Sequence, residues 1–322
     1  MADSSAQRAA PRAAELDAAI DAAVRAGTAI MEVYARDFSV AEKADRSPLT
    51  EADTRAHAAI HATLSARTPE IPILSEEGAD VAVAVRQSWG RYWLVDPLDG
   101  TKEFVSRNDE FTVNIALMAR TEGEPPSGDA PGTPDAARAP GALPAIPIAG
   151  VVLAPATGRL YVGVTGRGAW SYRAGGGEGE RGAVGGPTFR EIEKHGTPLP
   201  SVAEFADRPY TIVASRSHLS PATTAYIEAR RVEHPTLEVA TAGSSLKICR
   251  VAEGSADEYP RFGPTMEWDT AAGDAIARAA GCQVLVWDRA PGGTTERPDS
   301  TAGPLRYNKT DLHNPWFLVR RR

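Results

Sequence analysis

Residues 93–104 read Trp-Leu-Val-Asp-Pro-Leu-Asp-Gly-Thr-Lys-Glu-Phe. The apolar run before Asp96 is typical of a strand that is buried on both faces. Pro97 then fixes φ and removes a backbone donor, so we predict that the strand ends at Asp96. Asp99 follows three residues later, and a turn of that length can point both carboxylates to one side.

The turn also supplies oxygen ligands of the kind that hard metal ions prefer. Asp96, Asp99 and the Leu98 carbonyl between them suit Mg²⁺. A helix that starts at Gly100 and Thr101 would add backbone N–H groups that bind an anion. Metal ligands beside a phosphate cradle are what phosphoryl transfer requires. An ordinary turn that caps a helix also explains so short a run, and the run alone does not separate the two interpretations.

Other acidic residues stand at the ends of predicted elements. Glu76 and Glu77 end a short apolar run, Asp53 lies in a Thr-Glu-Ala-Asp run that resembles a capping box, and Asp269 starts a predicted helix. Each of them alone is explained by a solvated turn or a helix N-cap. Their combination with the turn at residues 96–101 favours a metal site.

Hydrophobic periodicity predicts the remaining elements. Helices are predicted over residues 13–34, 50–67, 221–230, 244–252 (opened by serine caps) and 270–280 (closed by Gly281). Strands are predicted over residues 71–74, 92–95, 111–118, 148–154, 159–164, 169–172, 210–214, 257–262, 283–287 and 316–319. The alternation of strands and helices in the second half indicates a layered α/β unit.

Three segments interrupt this pattern, at residues 121–147, 174–186 and 289–304. They are rich in Gly and other turn-forming residues and lack periodic apolar positions. We therefore expect surface insertions that order poorly and carry none of the chemistry. The first is long enough to cover part of the site entrance.

The bulk properties exclude several classes of protein. The chain has 322 residues, which suggests two domains, and its formal net charge of −7 argues against a nucleic-acid binder. Cys249 and Cys282 make no disulfide framework, so we expect buried thiols in a reducing compartment. No apolar stretch approaches the ~20 residues of a membrane span, and the N-terminus lacks the apolar core of a signal peptide. A cytoplasmic protein without a membrane span is the resulting expectation.

Three ordered motifs closely resemble the signatures of the inositol monophosphatase superfamily. They are residues 75–77 (Ser-Glu-Glu), 93–104, and 267–273 (Glu-Trp-Asp-Thr-Ala-Ala-Gly). The resemblance covers about residues 13–322 apart from the insertions, and it implies an α/β fold of the α+β layered-sandwich type. An antiparallel sheet with paired helices would occupy residues 13–200, and a smaller α/β domain would occupy residues 201–322. The metal site would lie where the two meet.

Carried over position by position, the resemblance implies two or three Mg²⁺ ions. Glu76, Asp96 and the Leu98 carbonyl would bind one ion. Asp96, Asp99 and Asp269 would bind a second.

The resemblance also implies a catalytic pair. Asp53 and Thr101 would orient and deprotonate the attacking water, and a third metal ion would lie near Glu76 and Asp53. The Gly100 and Thr101 amides would bind the phosphate. Glu77 would interact with the metal-ligating side chains rather than with a metal ion. The substrate is expected to contact Glu76, Leu98, Asp99, Gly100, Thr101 and Asp269.

Within the superfamily the chain looks most like the 3′(2′),5′-bisphosphate nucleotidases of the CysQ type. The shared features are residues 214–218 (Ala-Ser-Arg-Ser-His), 243–247 (Gly-Ser-Ser-Leu-Lys) and 259–265 (Tyr-Pro-Arg-Phe-Gly-Pro-Thr). This likeness implies hydrolysis of 3′-phosphoadenosine 5′-phosphate to AMP and phosphate, with the 5′-phosphosulfate analogue as a second substrate. It also implies a role in sulfur assimilation and sensitivity to Li⁺.

Four residues are expected to recognise the adenosine 5′-phosphate: Ser215, His218, Lys247 and Arg261. The simpler explanations are helix caps for the serines and exposed charge for Lys247 and Arg261. A small-molecule nucleotide is the expected partner, and the sequence leaves monomer or homodimer open.

Two other functions stay open. An inositol-1-monophosphatase would use the same metal site and would need none of the nucleotide contacts. A non-catalytic metal or nucleotide sensor would need the metal site without the water-activating pair, yet Asp53 and Thr101 are both present.

Overall fold

The computed structural model describes residues 10–42, 48–120, 144–173, 186–201, 208–216, 220–287 and 301–322. The helices in these residues are α1 (Ala13–Tyr34), α2 (Glu51–Arg67), α3 (Val83–Arg86), α4 (Thr101–Val105), α5 (Phe189–His195), α6 (Pro221–Glu233), α7 (Leu246–Glu253) and α8 (Glu267–Ala279). The strands are β1 (Val40–Glu42), β2 (Pro48–Thr50), β3 (Ile73–Ser75), β4 (Arg91–Asp99), β5 (Thr112–Arg120), β6 (Ala145–Ala154), β7 (Arg159–Val164), β8 (Gly168–Arg173), β9 (Thr197–Pro198), β10 (Thr211–Ser215), β11 (Glu238–Ala242), β12 (Glu258–Arg261), β13 (Gln283–Trp287), β14 (Thr301–Pro304) and β15 (Phe317–Arg320).

The two N-terminal helices confirm the sequence prediction. α1 covers the predicted residues in full, and α2 begins after Thr50. The predicted capping box is present, since the Thr50 Oγ accepts from the Ala52 N–H at 3.1 Å and the Asp53 Oδ2 accepts from the Thr50 N–H at 2.7 Å. Asp53 is therefore fixed in the first turn of its helix.

A seven-stranded sheet forms the centre of the N-terminal half, in the order β3-β4-β5-β6-β7-β8-β9. β3 and β4 are parallel, and the other neighbours are antiparallel. Both faces are covered: Trp93 and Val95 of β4 pack with α1 and α2, whereas Tyr92 and Leu94 pack with α7 and α8. Burial on both faces explains the continuous apolar run that precedes Asp96.

A six-stranded sheet follows, in the order β11-β10-β12-β15-β13-β14. β10 is parallel to β11 and β12, and the remaining neighbours are antiparallel. One face packs against α7 and α8, and α6 covers the other face through Tyr226 and Ile227. The layers thus run helix pair, sheet, helix pair, sheet, helix, which confirms the layered α/β fold.

α8 is pressed against the seven-stranded sheet where two glycines leave room for its backbone. A Cβ on Gly150 would lie 2.2 Å from the Ala272 carbonyl oxygen, and a Cβ on Gly163 would lie 2.4 Å from the Ile276 Cα. Because α8 also packs on the six-stranded sheet, a single core joins both halves. The division into domains at residue 200 stays a prediction.

The prediction that the strand ends at Asp96 is wrong. β4 continues through Pro97 to Asp99, with a register shift between Asp96, which pairs with Asn114, and Asp99, which pairs with Thr112. β4 therefore has one residue more than β5 over this stretch, which is a bulge. A bulge accommodates a residue that lacks a backbone N–H, so Pro97 interrupts the ladder without ending the strand.

Two of the expected insertions are shorter than predicted. Residues 145–147 belong to β6, where Ala145 pairs with Arg120 and is 2% exposed. Residues 301–304 form β14 against β13. Backbone pairing with an established strand needs no side-chain periodicity, so the sequence pattern missed both. The predictions for residues 121–143, 174–185 and 289–300 fall outside the described residues.

Two further expectations can be compared with the fold. Cys249 and Cys282 are both free and buried, as predicted. None of the helices in the described ranges combines the length and apolarity that crossing a bilayer would take.

Candidate active site

Asp53 and Thr101, the predicted water-activating pair, lie side by side. Asp53 is 2% exposed; its Oδ2 accepts from the Thr50 backbone and hydroxyl, and its Oδ1 lies 3.4 Å from the Thr101 Oγ. The Thr101 Oγ is also 3.3 Å from the Leu98 carbonyl oxygen. Both contacts are long for O–H···O bonds, and the one hydroxyl proton serves one acceptor at a time. One Asp53 oxygen thus caps α2 while the other faces Thr101.

Asp96 lies within β4, and Glu76 directly follows β3, the parallel neighbour of β4. The Glu76 N–H donates to the Val95 carbonyl at 3.1 Å, and Asp96 Oδ1 accepts from the Leu98 N–H at 3.0 Å. Burial raises the pKa of Asp96 well above its usual range, and the charges of Glu76, Asp99 and Asp269 and a side-chain hydrogen bond with Glu76 raise it further. The buried Asp96 carboxyl therefore favours an added proton or an added cation.

Asp99 and Asp269 come from opposite halves of the chain. Asp99 ends β4, and its Oδ2 accepts from the Asn114 amide at 3.3 Å and the Ser245 hydroxyl at 2.9 Å. Asp269 lies in the first turn of α8, which begins earlier than predicted, and its Oδ2 accepts from the Met266 N–H at 2.9 Å. Burial raises the pKa of both carboxyls, that of Asp269 to about 8, and the charge of Asp99 adds to the shift of Asp269.

The charge and chemistry of these groups fit a divalent cation. Across the part of the chain that the structure describes, no three Asp, Glu, His or Cys side chains already form a group that could hold a metal ion. The electrostatic coupling is nevertheless strong, since three carboxylate neighbours raise the pKa of Asp96. A cation would relieve this repulsion and replace the proton between Asp96 and Glu76, and carboxylate and carbonyl oxygens are what Mg²⁺ prefers.

Gly100 connects the bulge to α4, which begins at Thr101 as predicted. Its φ of +86° is in the left-handed region, and a Cβ would lie 3.2 Å from the Ser244 Cβ and 3.3 Å from the Glu110 carbonyl oxygen. Only glycine adopts this positive φ and fits the narrow space beside Ser244 and Glu110 without strain. The first turn of α4 is thereby brought against the loop that precedes α7.

A pocket of about 200 Å³ opens at this point. Seven predicted site residues line it, four from the metal and phosphate set and three from the nucleotide set: Asp99, Gly100, Thr101, Asp269, Ser215, Lys247 and Arg261. The rest of its described lining is Lys102, Glu103, Ser244, Ser245, Ile248, Tyr259, Thr265, Thr270 and Phe317. Four predicted residues do not line it: Asp53, Glu76, Asp96 and Leu98. The prediction for His218 falls outside the described residues.

Lys247 and Arg261 place two positive charges in this pocket. Lys247 is 6% exposed; its Nζ donates to the Ser244 carbonyl at 2.6 Å and lies 5.6 Å from the centre of the Tyr259 ring. Burial lowers the pKa of Lys247 to about 8, Asp99 opposes that shift, and the charge of Arg261 adds to it. Exposed charge is therefore the wrong explanation for Lys247.

Arg261 has donor capacity to spare. Its Nη2 donates to the Pro264 carbonyl at 2.7 Å, and its Nε is buried without a partner among the described residues. An unpaired buried donor is costly, and an anion in the pocket would remove that cost.

The role of Ser245 was not predicted from the sequence. The residue stands at the N-cap of α7, but its side chain does not cap the helix. Its Oγ accepts from the Asn114 amide at 2.9 Å and shares its proton between Asp99 Oδ2 at 2.9 Å and the Asp269 carbonyl at 2.6 Å. Ser245 and Asn114 thus join the two predicted metal ligands across the two halves.

Ser244 and Glu103 are further pocket residues that were not predicted. Ser244 has a φ of +45°, and its Oγ is buried without a partner in the described part of the chain. Glu103 is 7% exposed. The two consecutive serines before Lys247 could have indicated the role of Ser244. A pair of hydroxyls at the start of a helix can bind a ligand as well as cap the helix. No local pattern distinguished Glu103 from an ordinary first-turn acid.

The chain is similar in sequence to known proteins. The sequence model of the Inositol monophosphatase family matches residues 13–128 and 144–315. The 3′(2′),5′-bisphosphate nucleotidase CysQ of Salmonella typhimurium is 43% identical over 264 residues, which is 81% of this chain and 86% of that protein. CysQ of Escherichia coli K12 is 41% identical over 268 residues, 83% of this chain and 88% of that protein.

A solved structure shows the same likeness. The crystal structure of CysQ from Bacteroides thetaiotaomicron, a bacterial member of the inositol monophosphatase family, is 45% identical in sequence with a TM-score of 0.72. The match covers 94% of this chain and 96% of that one.

Proposed function

Because the chain belongs to the inositol monophosphatase family, we propose that it is a Mg²⁺-dependent 3′(2′),5′-bisphosphate nucleotidase. It hydrolyses 3′-phosphoadenosine 5′-phosphate to AMP and inorganic phosphate. The relatives that match most of its length are named for this activity.

One observation carries the substrate assignment: a single pocket is lined both by Asp99 and Asp269 and by Lys247 and Arg261. The acidic side suits metal ions that bind the phosphate to be cleaved. The basic side suits a second phosphate, because a buried lysine and an unpaired buried arginine donor both favour an anion. A substrate with two phosphates uses both sides, whereas inositol 1-phosphate would leave the cations unused.

Each residue of the site has a separate role in the hydrolysis. Thr101 and Asp53 hold and deprotonate the attacking water: the Thr101 Oγ takes its proton while its own proton moves to Asp53 Oδ1, 3.4 Å away. The first turn of α4, at Gly100 and Thr101, binds the phosphate through its amides. Ser245 keeps Asp99 and Asp269 in a fixed relation through its two contacts.

The residues that would hold the Mg²⁺ ions are Glu76, Asp96, the Leu98 carbonyl, Asp99 and Asp269. Ions bound there would supply the charge that neutralises the phosphate dianion and would make the attacking water more acidic. A direct hydrolysis of this kind needs no covalent intermediate, and the two cysteines take no part in it because both are buried.

The proposal extends to the cellular role. 3′-phosphoadenosine 5′-phosphosulfate is a second substrate, because a phosphosulfate keeps the 5′ anion that Lys247 and Arg261 bind. Turnover of both compounds places the enzyme in sulfur assimilation, and we expect it in the cytoplasm as a monomer or homodimer.

Initial rates on 3′-phosphoadenosine 5′-phosphate and on inositol 1-phosphate, measured side by side with saturating Mg²⁺, test the assignment. We expect the nucleotide to be preferred by at least about tenfold in kcat/KM, which is the value of one charge-assisted contact. Equal rates, or faster turnover of inositol 1-phosphate, would refute it. Release of phosphate from neither compound would favour a metal or nucleotide sensor.

A further inference from the structure

Glu103 is a buried carboxylate in the wall of the substrate pocket. It lies in the first turn of α4, two residues after Thr101, and is 7% exposed. Its Oε2 is 3.4 Å from the position that a Cβ on Gly100 would take, and its Cγ is 2.7 Å from the corresponding position on Gly243. Two glycines thus make room for this side chain where the first turn of α4 meets the loop before α7.

Its position relates it to both ends of the pocket. The charge of Glu103 raises the pKa of Asp99 on the acidic side and the pKa of Lys247 on the basic side. Glu103 is therefore near the group assigned to the scissile phosphate and near the group assigned to the retained phosphate. A carboxylate cannot contact either phosphate favourably, because both are anions.

The part of the substrate that lies between its two phosphates is the ribose. The only hydrogen-bond donor there is the hydroxyl next to the scissile phosphate, which is the 2′-hydroxyl when the phosphate is on the 3′ oxygen. An ionised carboxylate only accepts, and it offers about four acceptor positions, so a carboxylate that already has a partner within the protein can still accept from a ligand. A hydroxyl donor and a buried acceptor are complementary.

We propose that Glu103 selects ribonucleotides by accepting a hydrogen bond from the ribose hydroxyl adjacent to the scissile phosphate. The proposal rests on the bisphosphate nucleotidase function and adds a specificity residue to it. The discrimination arises because a 2′-deoxyribose has a C–H group in place of the hydroxyl that would donate to this carboxylate.

The test compares two substrates that differ by one oxygen: adenosine 3′,5′-bisphosphate and its 2′-deoxy analogue. The wild type should show kcat/KM higher on the ribonucleotide by roughly ten- to a hundredfold, the value of a charge-assisted hydrogen bond. Glu103→Ala should bring the ratio to about one, and Glu103→Gln, which keeps a neutral acceptor, should give an intermediate ratio. Both kcat/KM values in the ratio are measured on the same variant, so a lower fraction of folded protein affects them equally and leaves the ratio unchanged.

Glu110→Gln is the matched control. Glu110 also acts on the charge of Lys247, but it binds the Gly243 N–H at 2.9 Å and Arg216 rather than lining the pocket. This variant removes the same charge from the same neighbourhood and should keep the ribose preference. A loss of preference in Glu110→Gln as large as in Glu103→Ala would show that the effect is a general field on Lys247, which overturns the proposal.

Inhibition constants provide a second readout, which reports binding rather than the rate of the chemical step. AMP should inhibit the wild type more strongly than 2′-deoxy-AMP, and Glu103→Ala should remove that difference. Efficient hydrolysis of both bisphosphates with a ratio near one would reject the role of Glu103 and leave the nucleotidase function intact. Hydrolysis of neither bisphosphate alongside turnover of inositol 1-phosphate would instead reject the function itself. A preference retained in Glu103→Ala, with both rates reduced equally, would assign the residue a structural role only.

Discussion

Replacing Arg261 with alanine tests whether the pocket binds two phosphates at separate places. Arg261 Nη2 is engaged by the Pro264 carbonyl at 2.7 Å, whereas the buried Nε has no partner among the described residues. We therefore expect the Nε to donate one charge-assisted hydrogen bond to the retained phosphate, worth about 1.5–3 kcal/mol. This free energy corresponds to a rise in KM for the bisphosphate nucleotide of about ten- to a hundredfold.

The neighbouring lysine moderates this effect. The charge of Arg261 lowers the pKa of Lys247, which is about 8. Without Arg261, Lys247 remains protonated to higher pH and compensates in part for the lost charge. The larger increase in KM is therefore expected near pH 7, where Lys247 is already charged and no charge can be gained. The kcat should change little, because the scissile phosphate is expected to bind at the metal site rather than at Arg261.

The assay compares adenosine 3′,5′-bisphosphate with adenosine 3′-monophosphate, which keeps the scissile group and lacks the second phosphate. Arg261→Ala should weaken only the first substrate. Arg231→Ala is the control, because Arg231 lies on the far helix α6 in an exposed pair with Glu228. Equal losses on both substrates would make Arg261 structural or catalytic, and no loss on either would remove the main support for a nucleotide substrate.

Four further outcomes follow from the site. Asp96→Asn should abolish Mg²⁺-dependent turnover without lowering the unfolding temperature in EDTA, since an asparagine Oδ1 still accepts from the Leu98 N–H; substantial activity at saturating Mg²⁺ would remove Asp96 from the site. Ca²⁺ in place of Mg²⁺ should stop the reaction because its looser coordination spoils the in-line geometry, and Li⁺ should inhibit as the family resemblance implies; a rate unaffected by both ions would contradict the metal site. The kcat/KM for the bisphosphate should fall as the pH rises through about 8, where Lys247 loses its proton, while the monophosphate shows no such fall; Lys247→Arg should abolish the difference. Replacing residues 121–143 with a short Gly/Ser linker should leave turnover nearly intact, because Arg120 and Ala145 are already paired strand neighbours; an inactive but folded variant would make the segment a lid.

Several features were determined by sequence because they depend on neighbours along the chain. α1, β7 and β13 have the predicted bounds, since hydrophobic period and strand-ending turns are local properties. The Thr50–Asp53 capping box also lies within one helical turn. The order of the three acidic motifs was enough to indicate the family, and the family in turn implied the ligand set.

The continuation of β4 through Pro97 could not be predicted from the neighbouring residues in the sequence. Proline next to a strand usually ends it, and only the bulge opposite β5 shows how the pairing continues to Asp99. The same bulge separates Asp96, 1% exposed, from Asp99 at the pocket wall. The two carboxylates therefore differ in surroundings although they are close in sequence.

The sequence by itself determined which residue types the site contains, and the tertiary structure decided what each one meets. Ser245 looked like a helix cap, yet its hydroxyl reaches Asp99, 146 residues away. Lys247 was expected to bind the nucleotide, with exposed charge as the simpler explanation, and its burial in the folded chain excludes the simpler explanation. Glu103 has the local pattern of a first-turn acid, but the fold places it in the pocket wall beside two glycines. Helix and strand formation is set largely by interactions within a few residues, but burial, pKa shifts and shared ligands arise only where distant segments of the chain come into contact.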